Sequence, residues 1–152
     1  MRSVTMNLEV LDCHCDTCEE QFEHYKLSDF VYGELLLSSE DGKQLVYLNT
    51  FEDSVFDEVC DIVKDICRKD DEDKIRQAVN TALGYAYDLV EGQRVFKDLK
   101  RKCPKCGSTN LRCYYRKDWK TMTLRCAEHY EWDKLSVDEK KLLLAGVIGD
   151  GK

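Results

Sequence analysis

CPKCGSTNLRCYYRKDWKTMTLRCAEHYEW, residues 103–132, carries four of the chain's nine cysteines, both tryptophans and one of its three histidines. Cys103 and Cys106 stand at CxxC spacing and Cys126 and His129 at CxxH spacing, with nineteen residues between the pairs. Two such pairs joined by a hairpin of this length are the arrangement of a tetrahedral structural zinc site, since each tight turn aims two donors at one ion. Gly107 follows the first pair where positive φ is needed, and Pro104 stiffens the turn. The alternative is a small apolar knot of reduced cysteines. Alternation predicts the hairpin: Leu111, Cys113, Tyr115, Met122 and Leu124 form an apolar face. Arg112, Tyr114, Arg116, Thr121, Thr123 and Arg125 form a basic one, with Lys117, Asp118, Trp119 and Lys120 at the tip. Cys113, on the apolar face, reads as a buried thiol.

The CPKCG opening, and a tryptophan soon after the second pair at Trp132, resemble the zinc ribbon superfamily, in particular the ribbons of transcription elongation factors and related nucleic-acid machinery. The resemblance spans about residues 101–132. It implies a zinc-held β-hairpin. The acidic tip pair used in RNA cleavage by elongation-factor ribbons is missing, so that activity is not implied.

Outward from this stretch, residues 4–10 alternate apolar and polar as a half-buried strand. Residues 30–38 and 43–49 read as a hairpin turning at Asp41-Gly42. A helix opening at Thr50 carries Val55, Val59, Ile62 and Ile66 at helical spacing and breaks at the charged run 68–73. A second helix, with Ile75, Ala78, Val79, Ala82, Leu83, Ala86, Leu89 and Val90 on one stripe, stops at Gly92. Ser136 with Glu139 is a capping box for a last helix ending near Gly146, and residues 149–152 read as a frayed end. The expected class is α+β: a small antiparallel sheet with two amphipathic helices, a zinc-ribbon hairpin and a short terminal helix. The expected division is an acidic module with a CxxC knuckle over 1–96, a basic ribbon over 97–134, and a helix and tail over 135–152.

Cys15 and Cys18 form a second CxxC pair after the first strand. A second zinc there would need further ligands from Cys13, His14, His24, Cys60 or Cys67. The last two lie seven apart on one helix, about 10 Å along its axis, so they do not both reach one ion. The other readings are core thiols and a redox pair. Glu19, Glu20 and Glu23 oppose the thiolate a redox pair needs, and no βαβ frame surrounds it.

Net charge is −7, but residues 97–125 hold ten cations and two acids, a balance of +8, while residues 1–96 hold nine cations and twenty-two acids. A basic strip with interleaved aromatics suits phosphate tracking and base stacking. Lys105, Arg112, Tyr114, Arg116, Lys117, Trp119, Lys120 and Arg125 are therefore the candidate nucleic-acid contacts. The competing reading is an acidic adaptor, inhibitor or immunity-type protein that docks on a basic protein partner and in which zinc is structural. An enzyme is not expected: the zinc ligand set is closed, and apart from thiol chemistry at the N-terminal CxxC no catalytic motif is visible. No small-molecule substrate is apparent. No signal peptide or membrane-length apolar run occurs, so a cytoplasmic protein is expected.

Overall fold

The computed structural model describes residues 2–28 and 32–149. One six-stranded sheet in the order β2-β1-β6-β4-β3-β5 organises the chain. Its strands are β1 (Ser3–Cys15), β2 (Gln21–Lys26), β3 (Glu34–Ser39), β4 (Leu45–Asn49), β5 (Val95–Phe96) and β6 (Leu111–Cys126). Neighbouring strands pair antiparallel except β4 with β6, which are parallel through Val46↔Arg125 and Tyr47↔Cys126. The α+β class is as expected; the all-antiparallel sheet and the separate ribbon are not. Of the expected strand over 30–38, Phe30 and Val31 lie outside the described residues.

The largest departure is β6. Residues 111–126 were expected to turn back at 117–120, but they run on as one strand of 16 residues. β1, read as residues 4–10, extends to 13 residues and supplies the partner. The two strands pair from Ser3↔Arg125 to Cys15↔Leu111, with the register shifted between Glu9 and Leu11 so that residues 116–118 of β6 stand against Val10 alone, two residues in excess. Such a bulge sharpens the local twist. The polar turn composition of 117–120 was the false signal: a bulge accommodates the same residues without reversing the chain. β6 also lies between β1 and β4, so a strand of the expected ribbon is hydrogen-bonded on both sides to strands of the expected N-terminal module.

β2 was missed by the sequence reading. Its polar residues hide an edge strand, in which His24 and Phe22 stand opposite Leu11 and Cys13.

Helices α1 (Ser54–Ile66) and α2 (Glu72–Ala86) cover one face of the β3–β4 hairpin. Asp53 caps α1 through Val55 N–H at 2.9 Å, and Asp71 caps α2 through Lys74 N–H at 2.8 Å. α2 ends at Ala86, short of Gly92, because Tyr87 turns extended and Val90 pairs with Gln93. A one-turn helix α3 (Tyr130–Asp133) leads into α4 (Val137–Gly149). The α4 start has the expected reciprocal box: Ser136 N–H donates to Glu139 at 2.9 Å and Glu139 N–H to Ser136 Oγ at 3.1 Å.

The alternation of β4 builds two cores. Val46 and Leu48 pack with Val55, Val59, Val63, Leu83, Trp132 and Leu144 under the helices. Tyr47 packs on the other side with Leu8, Leu124 and Cys126. Trp132 is 1% exposed and joins the C-terminal segment to the helical layer. Its indole N–H faces Glu58 at 3.4 Å. Trp132→Ala is expected to lower unfolding free energy by about 3–5 kcal/mol, the usual range for emptying a buried aromatic site. Urea denaturation of the variant against wild type measures it.

Candidate metal centre

Two knuckles with the same backbone design meet beyond the end of the β1–β6 ladder. In the first, Cys15 N–H donates to Glu20 C=O at 2.9 Å and Glu19 N–H to Cys15 C=O at 2.8 Å. In the second, Cys103 N–H donates to Ser108 C=O at 2.8 Å and Gly107 N–H to Cys103 C=O at 2.9 Å. The residue after each second cysteine takes positive φ, Glu19 at 66° and Gly107 at 77°. Glycine adopts this conformation without the Cβ penalty that glutamate bears. Thr17 and Ser108 hydroxyls pair at 2.8 Å, and Asp16 N–H donates to Asn110 C=O at 2.9 Å, so the knuckles are tied directly to each other.

Their four sulfurs converge. Cys15 Sγ lies 3.5 Å from Cys106 Sγ, Cys18 Sγ lies 3.5 Å from Cys103 Sγ, and all four fall within 4.8 Å of one another. A Zn–S bond of about 2.3 Å gives a tetrahedron with edges of about 3.8 Å. The cluster brackets that size, and these four cysteines could hold a metal ion. A four-thiolate donor set matches zinc or an iron–sulfur centre among common metals. The site's electrostatics also call for a cation. The Cys15 thiol is drawn down to about 6, first by the backbone N–H of Cys18. For Cys18 the backbone N–H of Glu20 favours the thiolate. Burial and the crowding thiols of Cys103, Cys106 and Cys15 outweigh it and push Cys18 up to about 12. A metal cation among the sulfurs would offset the repulsion of four thiolates.

The expected ligand set is therefore corrected by exchange. Cys103 and Cys106 meet Cys15 and Cys18, while Cys126 and His129 lie elsewhere. Cys126 closes β6 and is buried beside Leu8, Tyr47 and Leu124. His129 caps α3; its Nδ1 pairs with Asp133 at 2.9 Å and its Nε2 with Asp53 at 3.6 Å. The two half-sites of the sequence reading are one site. The CxxH pair looked like a second knuckle because the hairpin was expected to return it.

The further candidate ligands also have other places. Cys13 stands opposite Cys113 in the β1–β6 register and is joined to it as a disulfide, so neither is a ligand and Cys113 is not a free thiol. His14 lies against Asp16 and Arg112 at 3.4 and 3.2 Å. His24 is on β2, Cys60 is half-buried on α1, where burial pushes its thiol up, and Cys67 is buried at the α1 C-cap.

The expected basic face is divided by strand alternation. Arg112, Tyr114, Arg116 and Lys120 belong to one side of β6, and Tyr115, Trp119, Thr121, Thr123 and Arg125 to the other. Most of its cations are engaged within the chain. Arg112 binds Asp16 at 2.8 Å. Arg116 binds Glu23, Asp12 at 3.3 Å and Asp118 at 2.8 Å. Lys120 reaches Glu23 at 3.4 Å, and Arg125 reaches Glu91 at 3.7 Å. Lys105 is exposed in the second knuckle, and Lys117 is a bulge residue described by its backbone alone. Tyr114, Tyr115 and Trp119 remain 63%, 64% and 51% exposed, so Trp119 stands on a strand face and not at a turn tip. No helix among the described residues is long and apolar enough to cross a membrane.

Compared with family models, with curated proteins and with solved structures, the chain gives no match.

Wild-type protein is expected to carry a single metal ion per chain in native mass spectrometry. Cys15→Ser and Cys103→Ser should lose it, while Cys126→Ser and His129→Ala should retain it. The opposite pattern would restore the CxxC–CxxH site. Glu19→Gly is expected to raise stability by up to about 1 kcal/mol, by relieving the left-handed glutamate. Thermal denaturation of the metal-loaded variant checks it.

Proposed function

We propose that the chain is a zinc-holding, non-catalytic interaction protein, in which the Cys15/Cys18/Cys103/Cys106 centre is structural and the β1–β6 ribbon contacts a protein partner. The observation that carries this reading is that four thiols close on one point from two matched knuckles. Catalytic zinc keeps an open coordination position, and a fourth protein thiolate removes it. With zinc bound, the centre would pin residue 15 to residue 103 across a long loop, and metal binding free energy becomes folding free energy.

The choice of a protein partner rests on the ion pairs. Arg112, Arg116, Lys120 and Arg125 already face carboxylates of their own chain, so a phosphate backbone would have to displace those acids to release its counterions. Tyr115 and Trp119 share a strand face with Glu9 and Lys26, and the Lys26 ammonium lies 4.9 Å from the Tyr115 ring centroid. Exposed aromatics beside a few charges are the composition of protein-interface hot spots.

A second reading, nucleic-acid contact, is favoured by one observation: Lys100, Arg101, Lys102 and Lys105 form no ion pair with a described residue. These cations precede and enter the second knuckle, so a strand tracking them would pass beside the metal centre instead of along β6.

Site-specific photo-crosslinking from position 119, followed by affinity measurements with the captured protein, decides between the two. A stoichiometric complex is expected, weakened about tenfold or more by Trp119→Ala and little changed by Arg112→Gln. Crosslinks to nucleic acid alone, with affinity for single strands that falls steeply as salt rises, would replace this reading by the second.

A further inference from the structure

Beside the edge strand β2, a cavity of about 180 Å³ is bounded by His24 and Tyr25, by the β3–β4 turn and by residues 99–102. Four cations line it, Lys43, Lys100, Arg101 and Lys102, against the two acids Glu23 and Glu40. Glu23 is taken already: the Tyr25 hydroxyl donates to it at 2.8 Å, and Arg116 and Lys120 pair with it. These contacts, with Tyr25 first, hold its carboxyl below the usual range.

Arg101 is the unusual member. Its Nε is buried without a hydrogen-bond partner among the described residues. Leaving a buried donor unmade costs about 1–3 kcal/mol, and more for a charged group, so native proteins rarely tolerate one without a ligand or bound solvent to fill the place. His24 adds a second sign. Burial, and then the charges of Arg101 and Lys26, push its imidazole down to about 4, so the ring is neutral at neutral pH and lies within the field of the Arg101 guanidinium.

We infer that this cavity binds the phosphate group of a small phosphorylated molecule, with Arg101 as the principal donor and Lys100 and Lys102 supplying charge. The planar guanidinium fork matches phosphate oxygens, and several cations lining one cavity favour a dianion over a carboxylate. An adjoining cavity of about 290 Å³ shares His24, Tyr25, Ser38, Leu45 and Leu99 with the first and adds Leu27, Leu35 and Leu36. It offers an apolar wall for the organic part of a phosphate ester. The cavity lining includes none of the four clustered cysteines and neither Tyr115 nor Trp119, so neither the zinc reading nor the protein-partner reading depends on it.

The test is an NMR titration of the zinc-loaded protein with inorganic phosphate against chloride at matched ionic strength, observing the His24 ring and the Arg101 Nε–H. Saturable shifts of both are expected in the wild type, with the His24 titration midpoint moving upward as phosphate offsets the neighbouring cations. Arg101→Gln should bind about tenfold more weakly or worse, while Arg112→Gln, outside the cavity, should bind as the wild type does. Zinc stoichiometry in each variant shows that the fold is retained. Absence of saturable shifts, or equal affinity in Arg101→Gln, would overturn the proposal. In a second arm, a single-stranded oligonucleotide that moves these resonances where inorganic phosphate does not would also overturn it, in favour of a polymer tracking the basic segment.

Discussion

The antiparallel ladder between β1 and β6 is the constraint on which the rest of the structure depends. It joins residues about a hundred positions apart, from Ser3↔Arg125 to Cys15↔Leu111. That register carries the first knuckle to the strand end where the second arrives from residue 103. It sets Cys13 against Cys113. It also leaves the far edge of β6 free to meet β4 in parallel, which ties the ribbon to the helix-covered hairpin. A ladder of such sequence separation requires large loop closure before it is rewarded. Cross-links at its knuckle end, a disulfide and a thiol cluster able to hold a metal, offset this cost by restricting the unfolded chain.

The same ladder explains why a chain with a local charge of +8 presents no continuous cationic face on β6 among the described side chains. Pairing with β1 and β2 sets Asp12, Asp16 and Glu23 beside Arg112, Arg116 and Lys120. Charges read as segregated along the sequence are interdigitated across the sheet. Such exposed pairs add little stability individually. Their consequence is for recognition, since they lower the field a polyanion would meet on the strand. The cations left over gather at residues 100–105, near the four-cysteine cluster and the β2 cavity.

Local patterns were legible where the physics is local. The stripe of α1, the Ser136–Glu139 box and the turn at Asp41-Gly42 all depend on residues within a few positions of one another, whereas the start of α1 was misplaced: the helix opens after Asp53, whose carboxylate caps it, and not at Thr50. The CxxC knuckles were legible for the same reason: each is a self-contained turn whose hydrogen bonds close within six residues. Pairing the knuckles was a different question, because nothing in a turn's own geometry says which other turn faces it. Cys126 and His129 had ligand chemistry and plausible spacing, yet Cys126 went to a core and His129 to a helix cap between two aspartates.

The sequence by itself determined the parts: an α+β chain with amphipathic helices, two cysteine knuckles each able to give two thiolates, and an unevenly distributed charge. Only the tertiary structure decided that the two knuckles form one four-thiol centre, that residues 111–126 continue as a strand, and that the basic side chains meet acids of β1 and β2. The physical reason lies in how information is stored along the chain. Backbone preferences and capping act over a few residues, whereas strand register, bulge placement and the meeting of distant turns are set by the total burial and pairing of the folded sheet.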